Sequence, residues 1–255
     1  MLSALSSKIF TLFNRIENNN NADIATNGES RFLEALGQSL GDDLVLFDVG
    51  GNVGEYSKRL LSITGEKKKR SIHVFEPTAS CFAILKEKFQ WNPNVVLNNV
   101  GVSDQPQTAT IFYDRERSGF ASLYQRDLQG LNVVMDHSET IRLIRLDQYI
   151  TEHTITHIDF MKIDIEGHEL KAFEGIGEFL RPDFIRGIQF EYGGANLDSR
   201  TNLRDFFRLF EPKGFVICKI MKHGIEQRPY RAYMDNFQYA NYLALSPELF
   251  ASLNR

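Results

Sequence analysis

Cysteine is scarce in this chain: Cys81 and Cys218 are the only two among 255 residues. They stand far apart and without metal-ligand spacing, which argues against a disulfide-stapled scaffold and fits reduced thiols in a cytoplasmic protein. Positive charge is not in excess either. Lys and Arg number 29 against 33 Asp and Glu, a formal net charge of -4, and the pI lies near 5.9. Affinity built on neutralising the phosphates of a nucleic acid is therefore not expected. The one basic run, Lys67, Lys68, Lys69 and Arg70, falls in a connection and reads as a solvated loop or a polyanion site. No apolar stretch is long enough to span a membrane, because Lys8 and Arg15 interrupt the N-terminal candidate. No repeat or low-complexity segment stands out beyond the run Asn18 to Asn21.

What is present is an ordinary globular composition, 42% hydrophobic and 24% charged, able to bury a substantial core. Leu2, Leu5, Ile9, Phe10, Leu12, Phe13 and Ile16 recur at helical spacing, so residues 1–30 read as an amphipathic helix and a linker, with the Asn run as the linker. That helix would dock on the main domain, on a second copy of the chain in a homo-oligomer, or on a membrane surface. Residues 31–255 read as one α/β domain. From Leu44 onward short apolar runs alternate with amphipathic stretches, the pattern of βα units feeding a parallel sheet. Seven strands are predicted, at 44–49, 71–76, 95–100, 157–163, 184–191, 214–221 and 237–245, with an extra β element at 107–113 and 141–146. Helices are predicted at 54–64, 78–90, 168–180 and 199–211. The polar stretch 222–236 is too short for a crossover, so the last strand is expected to run antiparallel.

The first strand runs into Asp48-Val49-Gly50-Gly51-Asn52-Val53-Gly54-Glu55-Tyr56-Ser57. Glycines here let the backbone pass close to a ligand and open a helix N-terminus. The dinucleotide fingerprint G-x-G-x-x-G needs glycine where Asn52 and Glu55 stand, so a nicotinamide or flavin dinucleotide enzyme is disfavoured. Asp48 at the strand tip would repel a pyrophosphate yet can hold an ammonium, and a methionine moiety carries one beside its sulfonium. Glu76, ending Ile72-His73-Val74-Phe75-Glu76-Pro77 about 20–25 residues further on, is placed to accept hydrogen bonds from a ribose diol. The two motifs together point to S-adenosylmethionine. Ser103 or Asp104, after the third strand, could bond the adenine amino group, or Asp104-Gln105-Pro106 is a plain turn.

On these residues the sequence resembles the FkbM family of methyltransferases. The resemblance is carried by residues 47–57 and 75–77, Asn99 to Asp104, Leu146 to Tyr149, Ile158 to Glu169, Gln189 to Glu191 and Asn241 to Ala244, over roughly 44–245. Gly51 stands where the family usually has alanine, a mild departure. The resemblance implies a Rossmann-like class I methyltransferase fold, S-adenosylmethionine as donor, and O-methylation of a sugar, glycan or natural-product hydroxyl. A binding protein without catalysis and a methyltransferase acting on a non-sugar acceptor are the alternatives.

Methyl transfer is an in-line displacement, in which alignment supplies roughly 7–11 kcal/mol and a general base about 10²–10⁴-fold. Asp164 and Glu166 would share a face if extended geometry continued past the fourth strand, and two close carboxylates hinder each other's ionisation. They are the candidate base pair, or alternatively cap the following helix; Glu191 and His168 are further catalytic candidates, His168 reading otherwise as a surface residue at the helix start. Lys162 alternates onto the Asp164 face and would neutralise it. Mg²⁺ is not favoured, because no third ligand is evident; Glu191 would be the one to complete the set. Asp114 to Tyr124 mixes charge, glycine and aromatics, as a lid, an acceptor-binding loop or a mobile connection would.

Overall fold

In the computed structural model, which describes residues 2–65 and 69–254, Lys67 and Lys68 of the basic run lie outside the described residues. Leu2–Ile16 forms α1 and Glu29–Ser39 forms α2. The first βα units follow as β1 (Asp43–Val49), α3 (Glu55–Thr64), β2 (Lys69–Phe75), α4 (Ala79–Phe89) and β3 (Val95–Asn98). Lys69 and Arg70 thus open a strand rather than sit in a connection. Next come β4 (Gly101–Val102), β5 (Gln107–Tyr113), β6 (His137–Ile144) and α5 (Leu146–Glu152). The second half holds β7 (Phe160–Ile163), α6 (Glu169–Glu174), β8 (Gly187–Tyr192), α7 (Gly194–Ser199) and α8 (Leu203–Phe210). The chain closes with β9 (Val216–Met221), β10 (Gly224–Gln227), β11 (Ala240–Leu245) and α9 (Pro247–Leu253).

The main sheet has the order β10-β9-β11-β8-β7-β1-β2-β3. Neighbours from β3 to β8 pair in parallel, and β11 inserts antiparallel between β8 and β9. The antiparallel last strand therefore holds, but the sheet has eight strands, not seven. The eighth is β10, a turn back from β9 within the stretch read as a simple return. The third strand also ends early. At Asn99 the side chain bonds the Glu76 and Pro77 carbonyls, and the backbone leaves for a three-stranded sheet of order β4-β6-β5.

Period-two alternation sorts the core into two layers. From β1, Leu44 and Leu46 face α2, α3, α4 and α9; Phe47 and Val49 face α5, α6 and α8. The strand order reverses beside β1, with β2 on one side and β7 on the other, which opens a crevice at their carboxyl ends.

The Asn run is not a free linker. Asn18 and Asn19 are buried, and Asn18 and Asn20 adopt left-handed backbone. Asn18 bonds the Ile220 carbonyl, and Asn20 pairs with Tyr239 in both directions. Lys219, 3% exposed, donates to Asn19 Oδ1 at 2.7 Å and lies 3.4 Å from Glu17. Asparagine serves because its amide can satisfy buried backbone groups and tolerates positive φ. Further out, α1 keeps Leu5, Ile9, Leu12 and Ile16 exposed and touches the domain through Phe13 on Tyr233. Among the described residues no helix is long and apolar enough to cross a membrane.

Burial pushes the Lys219 ammonium down to about 8, only partly offset by Glu17. The folded chain then releases this proton before the unfolded chain does, so this group's contribution to stability rises from about pH 8 towards the ordinary lysine value near 10.5. Thermal melts across that window should show the rise in the native chain and not in Lys219→Met; parallel profiles would contradict it.

Candidate active site

At the carboxyl ends of β1, β2 and β7 lies a cavity floored by Val49, Gly50, Asn52, Phe75 and Asp164. Val100, Val102, Ile111, Ile141 and Leu143 form an apolar slot on one flank, and Glu76, Pro77, Thr78 and Cys81 form the other. The inserted β5 and β6 thus act as a roof. Gly50 (φ +88°) has its backbone against Asp164, whose carbonyl oxygen would sit 1.9 Å from a Cβ. Gly54 (φ +84°) caps α3 under the Phe89 ring.

Asn52 turns in left-handed backbone, and its N–H donates to Glu76 Oε2 at 2.9 Å. Glu76 also accepts from the N–H and hydroxyl of Thr78. It is 5% exposed, and burial raises its pKa.

Asp48 is fully buried on the α3 face, beneath the cavity floor rather than in its wall. Its Oδ2 accepts from the Ser57 hydroxyl, its Oδ1 has no partner, and burial raises its pKa. Tyr56 likewise turns inward and donates to Gln189 at 2.6 Å. Ser103 and Asp104 do not reach the cavity either. The early departure from β3 leaves Ser103, fully buried, just past β4 with its N–H on the Ile144 carbonyl, and Asp104 pairs with Lys171 at 3.1 Å.

The turn after β7 assembles the acids. Extended geometry stops at Ile163; Glu166 (φ +53°) and Gly167 (φ +98°) reverse the chain, while Glu169 accepts from the N–H groups of Ile165 and Gly167. Alternation is therefore not what joins the acids. The turn, with Glu191 from β8, brings one carboxylate oxygen each of Asp164, Glu166 and Glu191 within 4.8 Å of the others. Lys162 holds Asp164 at 2.8 Å, and Arg126 donates to Glu166 and lies 3.4 Å from Asp198. Burial acts against the Lys162 charge, but Asp164 and Asp48 outweigh it and raise the ammonium. Glu166 is pushed up to about 8 by burial and then by Asp164; Glu191 is raised well above its usual range by burial and by Asp164 and Glu166. The third ligand that the sequence left open is thus present, and an all-oxygen set suits a hard cation. Two of the three already face side-chain cations.

His168 lines the cavity, yet both ring nitrogens are engaged: Nε2 with the Ser103 hydroxyl at 2.9 Å and Nδ1 with the Tyr124 hydroxyl at 3.0 Å. Ser103 donates to Asp104 Oδ1, so Nε2 carries the proton and Nδ1 accepts from Tyr124. Tyr124 belongs to the charged loop, which is pinned along the cleft. Asn52 Nδ2 donates to the Ser118 carbonyl at 3.1 Å, and the Ser122 hydroxyl donates to that of Glu166 at 2.7 Å. A backbone bridge joins Phe112 to Ser122. This loop is a strap, with Arg115, Arg117 and Ser118 on the cavity wall.

The sequence profile of the methyltransferase FkbM domain matches residues 48–217, more than half of the chain. The chain belongs to the FkbM methyltransferase family. This methyltransferase is similar to the hexuronic acid methyltransferase AglP of Haloferax volcanii, 25% identical over 155 residues that make up 60% of this chain and 59% of AglP. It is similar also to the AMB antimetabolite synthetase AmbE of Pseudomonas aeruginosa, 27% identical over 53% of this chain and 8% of that protein. The chain therefore spans less than two thirds of the curated relatives it matches. The crystal structure of a methyltransferase FkbM from Methylobacillus flagellatus superposes with a TM-score of 0.50 at 15% identity, over 80% of this chain and 44% of that one. That likeness supports the class I methyltransferase fold. At the position where the family usually has alanine, a Cβ on Gly51 would meet Val74 Cγ1 at 2.4 Å, so Val74 occupies that space here.

Membership of the FkbM methyltransferase family implies S-adenosylmethionine as the donor, and the residues around the cavity fit that group. A carboxylate on the cavity wall (Glu76), an apolar slot, and beneath the floor a buried carboxylate oxygen without a partner (Asp48) suit its ribose, its base and its cationic amino-acid portion. Arg115 and Arg117 fall in the charged stretch read from the sequence as a lid, an acceptor-binding loop or a mobile connection, whereas Arg126 lies beyond it, where a single charged residue in an irregular segment carries no periodic signal.

Burial lowers the His168 pKa to about 4. Titration of the imidazole by heteronuclear NMR should show a neutral ring with Nε2–H from pH 6 upward. A midpoint near the ordinary value of about 6.5 would contradict the buried bridge between the strap and Ser103.

Proposed function

We propose that this FkbM methyltransferase transfers a methyl group from S-adenosylmethionine to a hydroxyl oxygen of a sugar, glycan or natural product. The donor, when bound, supplies an electrophilic methyl group; the chain supplies alignment and a place for the acceptor's proton. Asp164 carries the reading, because it is the residue common to the cofactor cavity and to the carboxylate cluster.

In this reading Gly50, Asn52 and Gly54 hold the amino-acid portion, with Asp48 acting from below. Glu76 holds the ribose, for which it must exchange a hydrogen bond from Asn52 or Thr78. Asp164 accepts the hydroxyl proton. Among the described residues Glu191 has no cation at hydrogen-bond distance, and burial with Asp164 and Glu166 raises its pKa, so its carboxyl is the one left to orient the acceptor. Glu166, bridged to Arg126, walls the far side. His168, with both nitrogens occupied, positions the strap instead of acting as a base. The similarity to AglP supports a sugar acceptor, since that protein's name is that of a hexuronic acid methyltransferase.

The test is methyl transfer from S-adenosylmethionine to a panel of sugars and small hydroxylated metabolites, read by mass spectrometry. Asp164→Asn should still bind S-adenosylmethionine, with less preference for it over the product, and lose about 10²–10⁴-fold in transfer rate at saturating donor. Chelation with EDTA should leave the rate unchanged. Full activity in Asp164→Asn, or transfer to nitrogen or sulfur alone, would overturn the reading, and loss of activity with EDTA would move Asp164, Glu166 and Glu191 from base and orienting groups to metal ligands.

A further inference from the structure

A row of polar side chains crosses the sheet on the face covered by α2 and α3. Asp48 of β1 is in register with Lys162 of β7, and Lys162 with Gln189 of β8; Gln189 then bonds Asn241 of β11. All four are buried, in a layer otherwise filled by Leu44, Leu46, Phe160 and Leu243. Such groups persist in a core only when partnered. The partners come from the two helices.

The Tyr56 hydroxyl donates to Gln189 Oε1 at 2.6 Å, Gln189 Nε2 donates to Asn241 Oδ1 at 3.1 Å, and Asn241 Nδ2 donates to Glu29 Oε1 at 2.5 Å. Asn27 Nδ2 donates to the same oxygen at 3.0 Å. Donation runs one way along the whole chain and ends on Glu29, so the terminal group has to be an acceptor, as a carboxylate is. At the other end, Lys162 Nζ lies 4.9 Å from the centre of the Tyr56 ring and 2.8 Å from Asp164.

The charges in this row do not balance. One ammonium, Lys162, pairs with Asp164 and shares the layer with two further carboxylates, Asp48, its register neighbour on β1, and Glu29 at the end of the hydrogen-bond chain; burial raises the pKa of both, and Lys162 works against that rise. If Glu29 were absent, the ammonium would be shared by the two acids that border the cavity. With it present, those two are less fully neutralised. The methyl donor is a net cation through its sulfonium, whereas its product, S-adenosylhomocysteine, is net neutral. A buried negative excess beside the cavity distinguishes the two, and does so strongly where water is excluded.

We propose that Glu29, carried into the core by the N-terminal segment, is a positioning residue for the methyl donor: by drawing on the Lys162 charge through the buried row of Tyr56, Gln189 and Asn241, it leaves Asp48 and Asp164 the negative field that favours the sulfonium over the spent product. This rests on the reading of the cavity as the S-adenosylmethionine site. It also gives residues 17–29 a part in the chemistry that their place before the domain does not suggest.

Isothermal titration of the full chain with S-adenosylmethionine and, separately, with S-adenosylhomocysteine tests it. Glu29→Gln keeps the side chain's shape and removes its charge, and should lower the ratio of donor to product affinity roughly tenfold; Glu29→Asp, which keeps the charge, should preserve most of the ratio. Lys162→Gln should move the ratio in the opposite direction, and it decides the matter if circular dichroism shows Glu29→Gln unfolded. Equal weakening of both ligands in Glu29→Gln, as a merely structural role would give, overturns the inference, as does a ratio that Lys162→Gln leaves unchanged. If the native chain binds neither ligand, the cofactor reading itself is wrong and the inference falls with it.

Discussion

One buried ammonium governs this site. Lys162 sits at the end of β7 among Asp164, Asp48 and Glu29, each on a different element. No arrangement of four such groups is stable in an apolar core without mutual pairing, because each charge loses several kcal/mol of hydration on burial. Around this compromise the surroundings are fixed: β1 and β7 must be neighbours, α3 must enter with Tyr56 and Ser57 inward, and α2 must deliver Glu29. The crevice at the strand ends is then bordered by carboxylates that are only partly neutralised. That condition suits a cationic donor and a hydroxyl acceptor alike.

The second constraint is the turn after β7. Left-handed backbone at Glu166 and Gly167, held by Glu169 on two N–H groups, folds the chain so that Asp164 and Glu166 meet Glu191. Strain of this kind persists where the surroundings over-determine it. The strap presses on the same turn through Ser122, Tyr124 and Arg126. The strap and the acid cluster therefore rest on one support, the turn after β7.

Much of this was legible from the residues alone, for identifiable reasons. The strands β1, β2 and β7 are short apolar runs closed by glycine or acid, so their ends and the residues at those ends, Glu76 and Asp164 among them, could be placed. The resemblance to the FkbM family rested on the same segments and holds. What escaped was long-range. Nothing local distinguishes Asn18 and Asn19 from a linker, since their partners lie some 200 positions away at Ile220 and Lys219. From the residues alone Ser103 or Asp104 reads as an adenine contact or, equally, Asp104-Gln105-Pro106 as a plain turn; β3 ends at Asn98, Asn99 binds the Glu76 and Pro77 carbonyls, and neither Ser103 nor Asp104 lines the cavity. Asp164 and Glu166 would share a face if extended geometry continued to 166; it stops at Ile163, and a left-handed turn joins them instead. The eighth strand was missed because Gly224–Gln227 is polar, as an exposed edge strand is expected to be.

The claim on which the rest turns is that the glycine loop and Glu76 hold opposite ends of one sulfonium nucleoside. A crystal structure of the complex with S-adenosylhomocysteine tests this most directly. The account places the ribose hydroxyls on Glu76, the base between Val102 and the β5–β6 roof, and the sulfur facing Asp164. A ligand bound outside this cleft, or with its base towards Glu191, would contradict it.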